Sequence, residues 1–274
     1  MKIFIAGLGL IGASYAEKLT EKGHTVTGFD PHGPTLEKAK AVQIINPGSS
    51  LSDISSADMV IIAMNPEDTV RFIKDNHHRF TPAQTLTDVC GVKRRLLNRL
   101  EEILPAPLHY TSHHPMAGKE TRGIDARDKD LFNEANFLIV KTDRRGEKDI
   151  RNLETIAGDL GFARISILTP QEHDRFIAYT SQLTHVIASC LINSAVDDKA
   201  AHSTGNSFKD LTRIAKINAP LWRELFLNNK TDLLKTIRAL KDELTLFETL
   251  ISEDDSEGIE NYLNRAKKRR ESYD

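Results

Sequence analysis

Two adjacent histidines, His113 and His114, follow the short strand candidate Leu108–Ser112 and lead into Pro115-Met116-Ala117-Gly118. An imidazole held at a strand end, with a pKa near neutrality, suits removal of a hydroxyl proton as hydride leaves the same carbon. The hydride acceptor for such chemistry is signalled at the N-terminus, where Gly7-Leu8-Gly9-Leu10-Ile11-Gly12 has the G-x-G-x-x-G spacing. The motif follows the apolar run Lys2–Ala6 and opens an amphipathic stretch, and Asp30 lies 23 residues after Gly7. That order sets a pyrophosphate on a helix N-terminus and a carboxylate on the adenosine ribose. Gly7 permits the turn, Gly9 lets the backbone reach the phosphates, and Gly12 lets the helix lie close on the sheet. A carboxylate at position 30 accepts from a ribose 2′-hydroxyl and repels a 2′-phosphate. Pro31 follows where a phosphate-binding arginine could stand, and His32 and Lys38 are the nearby cations. The pattern predicts NAD over NADP as cofactor.

These residues need a scaffold, and the first half of the chain supplies one. Strands are expected at Lys2–Ala6, Thr25–Asp30, Met59–Ala63, Thr85–Val89, Leu108–Ser112, Phe137–Val140 and Ala163–Leu168, separated by helical stretches. That alternation implies parallel pairing with crossover helices. In the first helix, Leu10–Lys22, Ile11, Tyr15 and Leu19 form the buried stripe while Glu17, Lys18 and Glu21 face water. Ligands of open α/β sheets sit beyond the carboxyl ends of the strands, which brings Asn65, Asp88 and Gly91 in as cofactor-side candidates. After Thr169-Pro170 no strand pattern remains. The expectation is a Rossmann-type doubly wound, mostly parallel sheet over residues 1–169, with a second, all-helical domain over residues 170–274. Ile177–Ala195 is apolar nearly all round, as in a helix buried in a bundle or across a subunit interface. The charged stretch Ser256–Tyr273 reads as a solvated terminal helix.

Composition narrows the classes. A 274-residue chain that is 39% hydrophobic and 28% charged can bury a substantial core. Its formal charge of −2 offers no field for nucleic acid or anionic lipid. No apolar run approaches the ~20 residues that span a bilayer. The apolar N-terminus, leading directly into a glycine turn, fits a buried strand better than a signal peptide. The two cysteines, Cys90 and Cys190, are far apart, form neither a disulfide framework nor a zinc spacing, and read as small buried apolar residues. No metal is expected, and a reducing cytoplasm is the simplest home.

Four ordered motifs carry a more specific signal. His114-Pro115-Met116-Ala117-Gly118-Lys119-Glu120, with Gly123 and Leu131-Phe132 downstream, resembles the signature of the prephenate and arogenate dehydrogenases. Asp88-Val89-Cys90-Gly91-Val92-Lys93 resembles that family's D-x-G-S-x-K turn, and Ser181-Gln182-Leu183-Thr184-His185 its S-H-L-P-H helix. Phe208-Lys209-Asp210-Leu211-Thr212-Arg213-Ile214-Ala215 resembles its F-x-D-x-T-R-I-A segment, and the likeness runs from Gly7 to about Phe247. The resemblance implies an NAD-dependent oxidative decarboxylation of prephenate to 4-hydroxyphenylpyruvate in tyrosine biosynthesis. It implies His114 as the catalytic group, Arg213 as the grip on a substrate carboxylate and His185 as lining the same pocket; Glu120 and Lys119, the latter as a second cation, join them as substrate-side candidates. The apolar helices after Pro170 carry the expectation of a homodimer formed through the helical domain.

Three positions depart from the family pattern. Gly91 stands where a serine is usual, so the hydroxyl expected to orient His114 is missing, with Thr87, Cys90 or a water as stand-ins. Lys119 replaces a threonine, and Gln182 and Thr184 replace a histidine and a proline. Read without the resemblance, His185 is an ordinary core histidine and Arg213 a surface partner of Asp210. The alternatives are arogenate as substrate, another Rossmann-plus-helical-domain dehydrogenase of the β-hydroxyacid type, and a non-catalytic NAD-binding regulator.

Overall fold

The computed structural model describes residues 1–143, 146–195 and 197–273. Along the chain these form β1 (Lys2–Ala6), α1 (Leu10–Glu21), β2 (Thr25–Phe29), α2 (Gly33–Ala41), β3 (Met59–Ile62), α3 (Pro66–Asn76), β4 (Thr85–Asp88) and α4 (Arg94–Ile103). They continue through β5 (Ser112–Pro115), β6 (Asn136–Val140), α5 (Glu147–Leu160), β7 (Arg164–Leu168), α6 (Pro170–Ile177), α7 (Leu183–Asn193), α8 (Asn206–Thr212), α9 (Ala219–Asn228), α10 (Lys230–Ser252) and α11 (Ser256–Glu271).

The sheet runs β2-β1-β3-β4, all parallel, so the strand order reverses between β1 and β3. Its central strands β1 and β3 are apolar at nearly every position because both faces are covered. Alternate residues point to opposite sides: Ile3, Ile5, Met59 and Ile61 meet Tyr15 and Leu19 of α1 and Leu153, Ile156 and Leu160 of α5. Phe4, Ala6, Val60 and Ile62 meet Phe72 and Ile73 of α3 and Leu96, Leu97 and Leu100 of α4. This is the doubly wound arrangement expected from the alternation of strands and helices.

Two details differ from the sequence reading. The fifth strand starts at Ser112 rather than Leu108, and it pairs antiparallel with β6, which pairs in parallel with β7. Thr111 N still donates to Leu86 O of β4 at 3.0 Å, so the chain leaves the first sheet there and carries both histidines into the second. Glu17 and Lys18 are partly covered, because a loop folds over α1: Lys18 pairs with Asp130 at 3.0 Å, and Ser14 Oγ accepts from Asp128 N at 2.9 Å.

From Pro170 onward the described residues form helices and the turns between them. Thr169 starts α6 with a capping box: its hydroxyl accepts from Glu172 N at 3.2 Å, and the Glu172 carboxylate accepts from Thr169 N at 2.9 Å. Pro170 at the first helical position adds a preset φ. A π-helical turn, Ala178–Gln182, joins α6 to α7. Within it Ser181 O meets His185 Nδ1 at 2.9 Å. Cys190 on α7 is exposed, contrary to the buried reading, because that side of the helix is uncovered in the single chain.

The chain divides into two compact units, Met1–Asn229 and Lys230–Asp274. The second is a hairpin of α10 and α11, closed by Phe247 against Tyr262 (5.1 Å between ring centres) and by Arg265 on Glu243 at 3.0 Å. Asp255 caps α11 by accepting from Gly258 N at 2.9 Å, and α11 has no buried residue. Among the described residues, no helix is long and apolar enough to cross a membrane.

Candidate active site

The glycine motif opens where the strand order reverses, at the carboxyl ends of β1 and β3. Gly7 has φ +92°, and a Cβ there would lie 2.4 Å from Ala63 O. A Cβ on Gly12 would lie 1.9 Å from Gly7 O, whereas one on Gly9 would meet nothing within 4 Å. The first and last glycines are therefore demanded by packing, and the middle one leaves open space above the α1 N-terminus. No side chain caps that helix, so the amides of Leu10, Ile11 and Gly12 remain for an anion. Leu8 does not join them: its side chain is in the core and its amide donates to Asp30 Oδ2 at 2.8 Å.

Asp30 thus ties the glycine turn to the end of β2, and its Oδ1 accepts from His32 N at 2.8 Å. A carboxylate offers about four acceptor sites, so a partly exposed Asp30 can still take ribose hydroxyls. The two nearby cations are engaged elsewhere, His32 Nδ1 with Thr35 Oγ1 at 2.9 Å and Lys38 with Asp125. Asn65 is exposed at the N-terminus of α3 and makes no capping hydrogen bond.

Asp88 sits at the end of β4, but not on the crevice. It is 0% exposed. Its Oδ1 accepts from Cys90 N and Lys93 Nζ, both at 2.8 Å, and its Oδ2 from Tyr110 OH at 2.8 Å and from Ser112 Oγ. Burial alone would raise the Asp88 carboxyl, but the Lys93 charge and these hydrogen bonds hold it below the usual carboxylate range. Lys93 also donates to His113 O at 2.6 Å. The buried pair therefore fixes the backbone from which the two histidines project.

Neighbouring residues of a strand face opposite sides, and the two imidazoles have different fates. His113 is 0% exposed, with Nδ1 on Thr87 Oγ1 at 2.7 Å and Nε2 on Tyr15 OH at 3.1 Å. It stacks on Phe137 with ring centres 4.8 Å apart. Burial, then the nearby Lys93 charge, push its pKa down to about 3. His114 turns the other way, toward the Asp88–Lys93 turn: a Cβ on Gly91 would lie 3.6 Å from its Nε2 and 3.5 Å from Leu225 Cδ2. Burial, followed by His173, Lys93 and His113, holds His114 well below the ordinary histidine value. Neither proposed side-chain stand-in for the missing serine reaches it, since Thr87 serves His113 and Cys90 Sγ lies 3.4 Å from Thr69 Oγ1 and from Met64 O.

The partner His114 does have was missed in the sequence. His114 Nδ1 lies 2.9 Å from His173 Nε2, and His173 Nδ1 lies 2.8 Å from Asp174 Oδ1. Both residues are 0% exposed on α6. The available signal was a histidine and an aspartate in the first turn after the Thr169-Pro170 boundary, at the end of a strand.

The other expected contacts gather on one side. Glu120, six residues after His114, forms an ion pair with Arg213, whose side chain is 62% exposed. Arg213 therefore pairs with Glu120 rather than with Asp210. His185 stacks on Trp222 with ring centres 3.6 Å apart, and burial lowers its pKa, while Glu120 acts to raise it. Lys119 is turned away and paired with Asp128 at 2.6 Å. Gln182, in the place of a histidine, is buried and donates to Leu225 O at 3.1 Å while accepting from Asn229 Nδ2 at 2.9 Å. An open cleft of about 490 Å³ begins at Glu120 and runs between Thr121-Arg122 and residues Lys216–Pro220.

The fold and its glycine crevice define a Rossmann-type nucleotide-binding oxidoreductase. The family model described as the prephenate dehydrogenase nucleotide-binding domain matches residues 15–167, and the one described as the prephenate dehydrogenase dimerization domain matches residues 169–265. The chain belongs to the prephenate dehydrogenase family. It is 28% identical over 278 residues to the prephenate dehydrogenase of Bacillus subtilis, covering 97% of this chain and 74% of that protein. Aquifex aeolicus prephenate dehydrogenase, solved with hydroxyphenyl propionate and NAD+, superposes with a TM-score of 0.88 at 26% identity, covering 100% of this chain and 98% of that one. Synechocystis arogenate dehydrogenase superposes with a TM-score of 0.85 at 26% identity, covering 100% of both chains.

Proposed function

We propose that this chain is an NAD-dependent prephenate dehydrogenase, converting prephenate to 4-hydroxyphenylpyruvate and carbon dioxide. The observation that carries the reading is the placing of His114, whose Nδ1 is held by His173 at 2.9 Å while its Nε2 is directed at Gly91, 3.6 Å from where a Cβ there would stand. The open glycine turn and the Leu10, Ile11 and Gly12 amides would hold the pyrophosphate of NAD and Asp30 its adenosine ribose, and the cofactor would supply a hydride acceptor for the ring carbon that bears the 4-hydroxyl. His114 takes the hydroxyl proton at Nε2. The ring carboxylate leaves as carbon dioxide, and its bonding electrons complete the aromatic ring, so the protein supplies mainly orientation and charge placement. Arg213 binds a substrate carboxylate by displacing or sharing Glu120, and His185 lines the same region. Asp88 acts through Lys93 rather than on the cofactor, and Lys119 stays on Asp128.

The functional division falls at residues 169 and 170, between a nucleotide-binding half and a helical half that binds substrate and pairs with a second copy. Exposed Tyr179, Leu227, Leu244, Ile251 and Leu263 in the helical half support pairing, and light scattering should give twice the 30.7 kDa chain mass. The deciding assay is NADH absorbance on mixing with NAD and prephenate, arogenate or a 3-hydroxyacid. Prephenate should give the highest kcat/KM. Turnover of the 3-hydroxyacid alone, or of nothing, would discard the reading.

A further inference from the structure

The chain of groups behind His114 has a direction. Asp174 is fully buried; its Oδ1 accepts from Lys93 N at 2.9 Å and its Oδ2 from Arg94 N at 2.9 Å. A carboxylate has acceptors only, so the 2.8 Å contact with His173 Nδ1 places the proton on that nitrogen. A neutral imidazole protonated at Nδ1 offers a lone pair at Nε2. That lone pair meets His114 Nδ1 at 2.9 Å, so His114 carries its own proton at Nδ1 and its lone pair at Nε2. Each assignment forces the next, and the last leaves the nitrogen facing Gly91 ready to accept a proton. The opposite tautomer would set two lone pairs against each other in a dry interior.

We propose that His173 and Asp174 are positioning residues that fix the tautomer and ring plane of His114, replacing the hydroxyl that Gly91 lacks. The arrangement holds a proton but does not conduct one. His173 and Asp174 are both 0% exposed and the carboxylate is occupied by two backbone amides, so the pair has no outlet to water. A proton taken at His114 Nε2 leaves by the face it entered. The Asp174 carboxylate, one imidazole away, favours the positive His114 ring that forms during the reaction. The capping box of Thr169 and Glu172 sets the helical turn that delivers both residues.

The catalytic consequence rests on the proposed function, but the tautomer does not, and the test separates them. Protein labelled with ¹⁵N-histidine and read by long-range ¹H–¹⁵N correlation should show His114 protonated at Nδ1 with a bare Nε2. His173→Leu should abolish that pattern and lower kcat about 10- to 100-fold, with the prephenate KM within about twofold. His173→Gln, whose amide can donate to Asp174 and accept from His114, should restore both the tautomer and most of kcat. Wild-type His114 protonated at Nε2 would overturn the proposal without any variant. So would a folded His173→Leu that keeps the wild-type tautomer, or a folded His173→Gln as impaired as the leucine variant. If no substrate is turned over, the proposed function falls while the tautomer measurement still decides the positioning claim.

Discussion

Around Lys93 and His113 the polar groups are enclosed and paired with one another, whereas around Arg213 the charges meet close to water. Asp88, Lys93 and His113 are all 0% exposed, and each makes two or more hydrogen bonds within the fold. Arg213 is 62% exposed and its partner Glu120 32%. Breaking a buried pair by removing one partner costs about 3–5 kcal/mol, while an exposed pair contributes about 0–1 kcal/mol. The enclosed region can therefore fix a geometry, and the open one can exchange partners for an arriving carboxylate. His114 stands at the seam, with Nδ1 on His173 in the enclosed region and Nε2 directed at Gly91.

Substitutions should break that contrast in graded ways. The largest effect is expected at the seam: His114→Asn should lower turnover about 100- to 10,000-fold with NAD binding retained. Steady-state kinetics beside a cofactor titration would check it, and near-normal turnover would remove His114 from the chemistry. On the enclosed side, Lys93→Met leaves the Asp88 charge buried and unpaired, and urea denaturation should show a loss of about 3–5 kcal/mol. A loss below 1 kcal/mol would mean the pair is not sealed. On the open side, Arg213→Ala should leave the melting temperature nearly unchanged and raise the prephenate KM about 10- to 100-fold, the size of one lost charge-assisted hydrogen bond. An unchanged KM would return Arg213 to a surface role.

The smallest effect is a slope. His113 titrates near 3 in the fold against an ordinary 6.5, so between those values the unfolded chain binds a proton that the folded one refuses. The stability from this neutral ring is complete above pH 6.5 and falls by about 1.4 kcal/mol per unit as pH drops toward 3. Denaturation of His113→Gln between pH 6 and 4 should show a shallower dependence than the wild type. Parallel curves would place the acid sensitivity elsewhere.

Much of this was legible in the sequence because the signals were local. The glycine spacing, the apolar runs and the change of pattern at Thr169-Pro170 each report backbone chemistry within a few residues. The fifth strand was misplaced because Leu108-His109-Tyr110-Thr111-Ser112 is short and carries the strand-favouring Tyr and Thr, yet its pairing depends on where the chain leaves β4. The role of Asp88 was misread for a similar reason. A carboxylate at a strand end is as consistent with a ligand as with a buried partner for Lys93, and burial separates the two. Lys119 shows the same ambiguity, settled by Asp128 nine residues on.

The sequence by itself determined the dinucleotide crevice and the strand-end position of His114, because both follow from short-range spacing and from the twofold alternation of a strand. Only the tertiary structure decided which of two adjacent histidines is sealed and which is presented, and what stands behind the presented one. His114 and His173 are 59 residues apart on different elements, and their contact exists only because α6 packs its first turn against the Asp88–Lys93 turn. No local rule encodes a hydrogen bond made across that separation.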